Sequence, residues 1–305
     1  MARAAQRSAP QSNTEGRTGV GPPLPRFPRL PRIMHAVFVY AVLILASLFV
    51  LLPVGWMLTA ALKPDTAPVF TFPPEWFPTE YWHWQTFRDA LFKEEFIRYT
   101  ANSLFLVVMT VTGAVLSSSL IAFPFARLRF RGKNVLFTFL IATMLLPAPV
   151  LLIPQFLLFY QIGWYGTYYP LWVPAWAGNA FFVFLMRQYM RSIPIELDEA
   201  ARVDGAGYWT IYWRIIMPLC VPVLTVAAVF QFIGTWNDFF GPLIYLDDPE
   251  KFTVALALAR LVQKVGTNWN EVMAANLIVI LPVLVVYFFA QDKLIGGIAN
   301  VGLKG

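Results

Sequence analysis

Long apolar stretches without charge, separated by short polar segments, dominate the chain from residue 33 onward. A run of about 20 apolar residues can cross a bilayer as a helix, because each residue adds about 1.5 Å and the hydrocarbon core is about 30 Å thick. A backbone exposed to lipid must satisfy its own hydrogen bonds, which favours helices. The pattern therefore predicts an all-α membrane protein.

Six of these stretches are predicted to cross the membrane. The uncharged segment 134–186 is too long for one crossing, and the turn-forming cluster at 163–170 divides it. The predicted spans are 33–62, 100–126, 135–160, 168–187, 215–237 (with an alternative end at 246) and 272–291.

The two ends of the chain differ from this apolar middle. Residues 1–32 are rich in Pro, Ser, Gly and Arg, which predicts a disordered basic segment. The apolar run that follows is too long for a signal peptide and lacks a cleavage signature. Residues 33–295 form the predicted six-span domain, and residues 296–305 form a tail.

Basic side chains are distributed unevenly across the predicted connections. Six spans place both termini on one side, and that side carries sixteen Lys and Arg residues against seven on the other. Cytoplasmic connections of membrane proteins are enriched in Lys and Arg. We therefore predict cytoplasmic termini and a cytoplasmic segment at 188–217, and attribute the net charge of +6 to orientation rather than to nucleic-acid binding.

Composition excludes several functional classes. Hydrophobic residues make up 58% and charged residues 13% of the chain, whereas soluble domains carry roughly 25% charge. One Cys and two His are too few for a disulfide framework or a His-based metal centre. The sequence also lacks a Gly-x-x-x-x-Gly-Lys-Ser/Thr phosphate loop. We expect no catalytic residue, metal or cofactor in this chain.

The polar segment 188–217 is the most distinctive interruption of the apolar pattern. Ser192 is expected to cap a first helix with acidic residues in its first turn, and Gly205 suits a left-handed helix stop. A second short helix is expected over 208–216, with Pro218 opening the fifth span. By residue chemistry alone, the segment is either a helical hairpin lying on the membrane surface or a docking site for a partner.

The spacing within this segment resembles the signature loop of binding-protein-dependent ABC importer permeases. That loop reads Glu-Ala-Ala, three residues, Gly, nine residues, Ile, one residue, Leu-Pro. The chain has Glu199-Ala200-Ala201, Gly205, Ile215 and Pro218 at these positions, with Met217 in place of Leu. Further segments resemble the maltose-type (MalG-like) carbohydrate permeases: Leu62-Lys63-Pro64, Asn102-Ser103-Leu104, Trp236-Asn237-Asp238 and Gly302-Leu303-Lys304-Gly305.

The resemblance implies a type I ABC importer permease fold and a set of partners. These are a second homologous permease chain, a cytoplasmic ABC ATPase dimer that holds ATP and Mg²⁺, and an extracytoplasmic binding protein that delivers a sugar. The loop would be a coupling helix whose ATPase contacts are Glu199, Ala200, Ala201, Asp204 and Gly205. The tail residues Leu303, Lys304 and Gly305 would also contact the ATPase.

Polar side chains within the spans are candidates for the transport pathway, because polar groups are costly in a membrane and often line a cavity. The alternative is hydrogen bonding between helices or at helix ends. The candidates are Asn102, Gln231, Trp236, Asn237 and Asn276. The outer loops 63–99 and 247–271 are the predicted binding-protein side, and the aromatic residues of the first suit either an interfacial belt or a docking surface.

Two other classes of protein are less consistent with the sequence. A secondary transporter coupled to protons calls for a buried charge, and no predicted span interior holds Lys, Arg, Asp or Glu. A membrane enzyme calls for a nucleophile and base or a metal constellation, and none is recognisable. Within the ABC permeases, a polyamine, glycerol-phosphate or phosphonate is the alternative to a sugar.

Overall fold

The structure is a computed structural model that describes residues 32–64, 67–78, 81–264, 266 and 268–302, without the side chains of 32, 33, 148 and 294–302. The predicted disordered segment, up to residue 31, and the tail residues Leu303, Lys304 and Gly305 lie outside the described residues. Within the described part, the secondary structure is helical and contains no strand.

The described helices cover most of the chain. In chain order they are α1 (Arg32–Ala61), α2 (Gln85–Phe92), α3 (Phe96–Arg127), α4 (Lys133–Thr143), α5 (Ala148–Gln161), α6 (Tyr169–Trp172), α7 (Ala180–Ser192), α8 (Glu196–Val203), α9 (Tyr208–Thr210), α10 (Met217–Leu219), α11 (Val221–Trp236), α12 (Phe240–Tyr245), α13 (Val254–Gln263) and α14 (Trp269–Gly302). Val173–Ala177 and Pro249–Lys251 are 3₁₀ turns, and Ile211–Ile216 is a π-helix.

Three described helices are long and apolar enough to cross a membrane, namely Met34–Ala61, Phe96–Arg127 and Trp269–Lys293. They coincide with the first, second and sixth predicted spans. A fourth candidate is the pair Tyr208–Leu219 and Val221–Trp236, whose axes bend by 75°. By length and composition the described residues thus hold three or four spans, and the count of six stays a prediction.

The third and fourth predicted spans are not single helices. The third is split between α4 and α5, because Pro147 has an extended backbone conformation and cannot continue the first helix. The fourth breaks at Gly178, which has φ +90°, and Asn179. The Asn179 side chain accepts hydrogen bonds from the backbone N–H groups of Phe181 and Phe182 and so starts α7.

The fifth predicted span also needs a correction. The break falls at Cys220, so the apolar helix α11 begins at Val221 and not at Pro218. Helix α11 ends at Trp236, and α12 is a separate short helix, so the alternative end at residue 246 is wrong.

Contacts among the described residues divide the chain into two units, with the boundary between Leu52 and Pro53. In the first part, the apolar side chains of α1 from Met34 to Leu52 are mostly exposed. In the second part, α3 packs against α7 and α11. Small residues permit close packing there: Ala114 and Ser118 are fully buried, and the Trp176 ring occupies the space beside Gly113.

Candidate functional site: the helical hairpin at 188–217

The sequence predicts the acidic first turn of α8 and its stop correctly, but it does not predict how the helix is capped at its start. Helix α8 has Glu196, Asp198 and Glu199 in its first turn and stops before Gly205, whose φ is +82°, so these two predictions are confirmed. The predicted cap is wrong. Ser192 is the last residue of α7, and its hydroxyl donates to the Tyr189 carbonyl at 2.8 Å. Residue 195 precedes α8 without a side-chain cap.

Helix α8 has an exposed edge and a buried face. Glu199, Ala200, Asp204 and Gly205 are exposed, and the side chain of Val203 is 89% exposed. The exposed part of α8 therefore combines acids, small residues and the apolar side chains of Val203 and Leu197, an arrangement that suits close approach by another surface. Of the five predicted coupling residues, Ala201 alone is buried, at the packed face of α8.

A buried ion pair joins α8 to the end of α3. Asp198 Oδ2 lies 3.5 Å from Nε of Arg127, the last residue of α3, and the two side chains are 2% and 4% exposed. Burial raises the pKa of Asp198, and the positive charges of Arg127 and Arg202 oppose that rise. The negative side chain next to the predicted coupling residue Glu199 therefore points into the protein.

The second arm of the hairpin is anchored to the same helix. The Tyr212 hydroxyl lies 2.7 Å from Ser119 Oγ, and the Tyr212 ring meets Phe123 edge to face with 5.3 Å between centroids. Ile211 and Ile216 are also buried. The predicted second helix is present as α9 and the π-helix, and it runs on through α10 to the bend at Cys220.

The polar pathway candidates make hydrogen bonds inside this chain. The Asn102 amide donates to the carbonyls of Glu250 and Phe252, at 2.8 and 3.0 Å, and so ties α3 to the loop between α12 and α13. Gln231 donates to Thr235 Oγ1 at 3.1 Å, and that hydroxyl is 2.9 Å from Thr110 Oγ1.

The three remaining candidates bond within or between helices. Trp236 is 1% exposed, and its Nε1–H donates to the Val279 carbonyl of α14 at 3.2 Å. Asn237 and Asn276 each donate to the carbonyl four residues earlier, at 2.9 and 2.8 Å. The five candidates thus serve helix packing and helix ends, and their contact with a transported solute stays a prediction.

Residues 114–299, more than half of the chain, match the family described as "Binding-protein-dependent transport system inner membrane component". The chain belongs to this family. The match covers the hairpin at 188–217, so the resemblance drawn from Glu199 to Pro218 is confirmed.

Relatives of this permease include proteins that are named as transport permeases for oligosaccharides. This permease is 31% identical over 204 residues to the arabinooligosaccharides transport system permease protein AraQ of Halalkalibacterium halodurans. The match covers 67% of this chain and 73% of the relative. The permease is 28% identical over 280 residues, 91% of this chain and 98% of the relative, to the galactooligosaccharides transport system permease protein GanQ of Bacillus subtilis.

The fold of the permease is similar to a solved one. A chain in the crystal structure of a bacterial ABC transporter involved in the import of the acidic polysaccharide alginate superposes with a TM-score of 0.76 and 25% identity. The similarity covers 89% of the permease and all of that chain. The broken third and fourth helical segments thus occur within an ABC importer permease fold.

The sequence reasoning missed two features of the permease. One is the Arg127–Asp198 pair, for which the only sequence signals were an Arg at the end of an apolar span, followed by Arg129 and Arg131, and an acid beside Glu199. The other is a cavity of about 700 Å³ between the start of α3 and helix α13, lined by Phe96, Tyr99 and Arg260 among others. The Arg260 guanidinium lies 4.2 Å from the centre of the Phe252 ring. Among the residues with described placement, no group of three potential metal ligands occurs.

Proposed function

We propose that this permease is the membrane-spanning subunit of an ATP-driven importer of oligosaccharides, and that α8 couples it to a cytoplasmic ATPase. The exposed edge of α8, followed by Gly205, is the observation that carries the coupling proposal. Its acids and small residues leave room for a partner surface, while the other face is held on α3. The substrate class rests on the relatives named for arabinooligosaccharides and galactooligosaccharides.

The proposed coupling is mechanical. When ATP binding closes an ATPase dimer, α8 moves with the ATPase surface that it contacts. The hairpin passes this displacement to α3 through the buried pair and through Tyr212, and to α11 through the bend at Cys220. ATP and Mg²⁺ bind to the ATPase, whereas this chain supplies the hairpin that moves and half of the transport pathway. A second, homologous permease supplies the other half.

Orientation follows from the same proposal. The hairpin and both termini lie on the cytoplasmic side, where ATP is available. The loops at 63–99 and 247–271 lie outside, and there an extracytoplasmic binding protein delivers the sugar. Exposed aromatic side chains such as Phe72, Trp82 and Trp84 offer that protein a contact surface.

The test is a steric block on the exposed edge of α8. We expect Ala200→Trp to reduce both retention of the ATPase by the purified permease and uptake of a galactooligosaccharide by about tenfold, because a bulky side chain keeps the two surfaces apart. The measurements are copurification of the ATPase and uptake by proteoliposomes that contain both permeases, the ATPase and the binding protein.

The matched control is Asn134→Trp, which adds the same side chain at an exposed site on α4. We expect it to leave ATPase retention and uptake at the wild-type level. Full retention and uptake in Ala200→Trp would contradict the coupling role of α8. Uptake of a polyamine or phosphonate instead of a sugar would leave coupling in place and overturn the substrate class.

A further inference from the structure

The burial and the incomplete hydrogen bonding of the Arg127–Asp198 pair make it a weak source of stability for the fold. The side chains are 4% and 2% exposed, yet Nε and Nη2 of Arg127 and Oδ1 of Asp198 have no hydrogen-bond partner among the described residues. Removing charges from water is costly, and a buried ion pair offsets that cost only when its remaining polar atoms are bonded. Apolar side chains of similar size would hold the two helices together at least as well.

The position of the pair suggests another role. Arg127 is the last residue of the long helix α3, whereas Asp198 lies in the first turn of α8, one residue before the exposed Glu199. Separating two opposite charges that are buried is costly, so the pair favours the register in which they meet, whereas an apolar contact permits sliding. The nearby charges are those of Arg202 and Glu199 on α8 itself. A partner that displaces α8 must therefore displace the end of α3 or break the pair.

We propose that Arg127 and Asp198 are positioning residues that transmit the movement of the coupling helix α8 to the membrane-spanning helix α3. This inference rests on the proposed coupling of α8 to an ATPase. It predicts that the pair can be removed without loss of the fold or of ATPase binding, and that ATP hydrolysis then no longer drives uptake efficiently.

The decisive variant is the double substitution Arg127→Met with Asp198→Leu, which replaces both charges by apolar groups of similar size. We expect wild-type or higher thermal stability, full copurification of the ATPase, and an approximately tenfold fall in sugar transported per ATP hydrolysed. The matched control is Arg129→Met, which removes an exposed Arg two residues away. We expect its transport per ATP to equal that of the wild type.

The outcomes separate this inference from the proposed function. If the wild-type permease does not retain an ATPase, the proposed function fails, whatever the pair does. If the double variant retains the ATPase and transports with wild-type efficiency, the transmission role is wrong. Loss of the ATPase in the double variant alone would assign the pair to docking and would also overturn the proposal.

A second measurement covers the case in which the double variant does not fold. Spin labels at Val203→Cys and Arg129→Cys, with Cys220→Ser, report the distance between the exposed edge of α8 and the segment directly after α3 in the otherwise intact complex. We expect this distance to stay constant when ATP binds, because the link is rigid. A distance that changes on ATP binding would show that α8 slides past α3, and the proposal would be overturned.

Discussion

Charged side chains form ion pairs at both ends of helix α3, but the pair at one end is buried and the pairs at the other end are exposed. At its Arg127 end, one ion pair is almost completely removed from solvent and incompletely hydrogen-bonded. At its Phe96 end, Arg98 lies 3.2 Å from Glu95 and 3.5 Å from Glu250, and these side chains are 42% to 74% exposed. Water screens the pairs at the Phe96 end, whereas the Arg127–Asp198 pair is screened much less and carries a larger cost of desolvation.

The two ends of α3 are also held by different kinds of contact. The Phe96 end is tied to its loops by neutral hydrogen bonds, such as those of Asn102, with exposed charges that contribute little. The Arg127 end is tied to α8 by a buried charge pair that is costly to separate. In the proposed function, the ATPase acts at the Arg127 end and a binding protein docks at the Phe96 end.

The largest effect is expected for Arg127→Ala. The substitution leaves Asp198 buried without its positive partner, which costs about 3 to 5 kcal/mol of the free energy of unfolding. Thermal or denaturant unfolding of the purified permease measures this loss. A loss below about 1 kcal/mol would mean that water reaches the pair, and the contrast between the two ends of α3 would disappear.

A buried neutral anchor at the start of α14 comes next. The Asn270 amide donates to the carbonyls of Lys63 and Pro64 at 2.8 and 3.1 Å, and Asn270 is buried. We expect Asn270→Ala to cost about 2 kcal/mol, because two carbonyl groups lose their donor. The free energy of unfolding of this variant is compared with that of Asn102→Ala, whose site is more exposed. The comparison tests whether burial of the anchor determines how much stability is lost.

The pH dependence that the Arg127–Asp198 pair gives to stability should be smaller, because Arg127 offsets part of the cost of burying Asp198. The pKa of Asp198 is raised in the folded state, so its protonation favours folding. The stability of the wild type, measured relative to the non-titrating variant Asp198→Asn, should therefore rise as the pH falls from neutral toward the ordinary carboxyl pKa of about 4. The opposite slope would show that Arg127 outweighs burial.

The smallest effect is expected for Arg98→Gln at the Phe96 end of α3. Both of its carboxylate partners are well exposed, so the free energy of unfolding should change by no more than about 0.5 kcal/mol. Added salt should reduce even this difference. A loss as large as that of Arg127→Ala would mean that the two ends of α3 are held alike.

Sequence reasoning located the long helices because a charge-free apolar run leaves the backbone little alternative in lipid. It did not locate the breaks within the third and fourth segments. Proline and glycine are tolerated in membrane helices when neighbouring helices satisfy the freed backbone groups, so their presence does not show where a helix stops. At the fourth segment the stop depends on Gly178 and on the cap that Asn179 provides.

The sequence by itself determined the long apolar helices, the polar hairpin with its glycine stop at Gly205, and the family, because each depends on residues close together in the chain. Only the tertiary structure decided which face of α8 is buried and what anchors it. The Arg127–Asp198 and Tyr212–Ser119 contacts join distant parts of the chain, the second across 93 residues. Local spacing does not encode such pairings, because they arise when α3, α7 and α11 pack together.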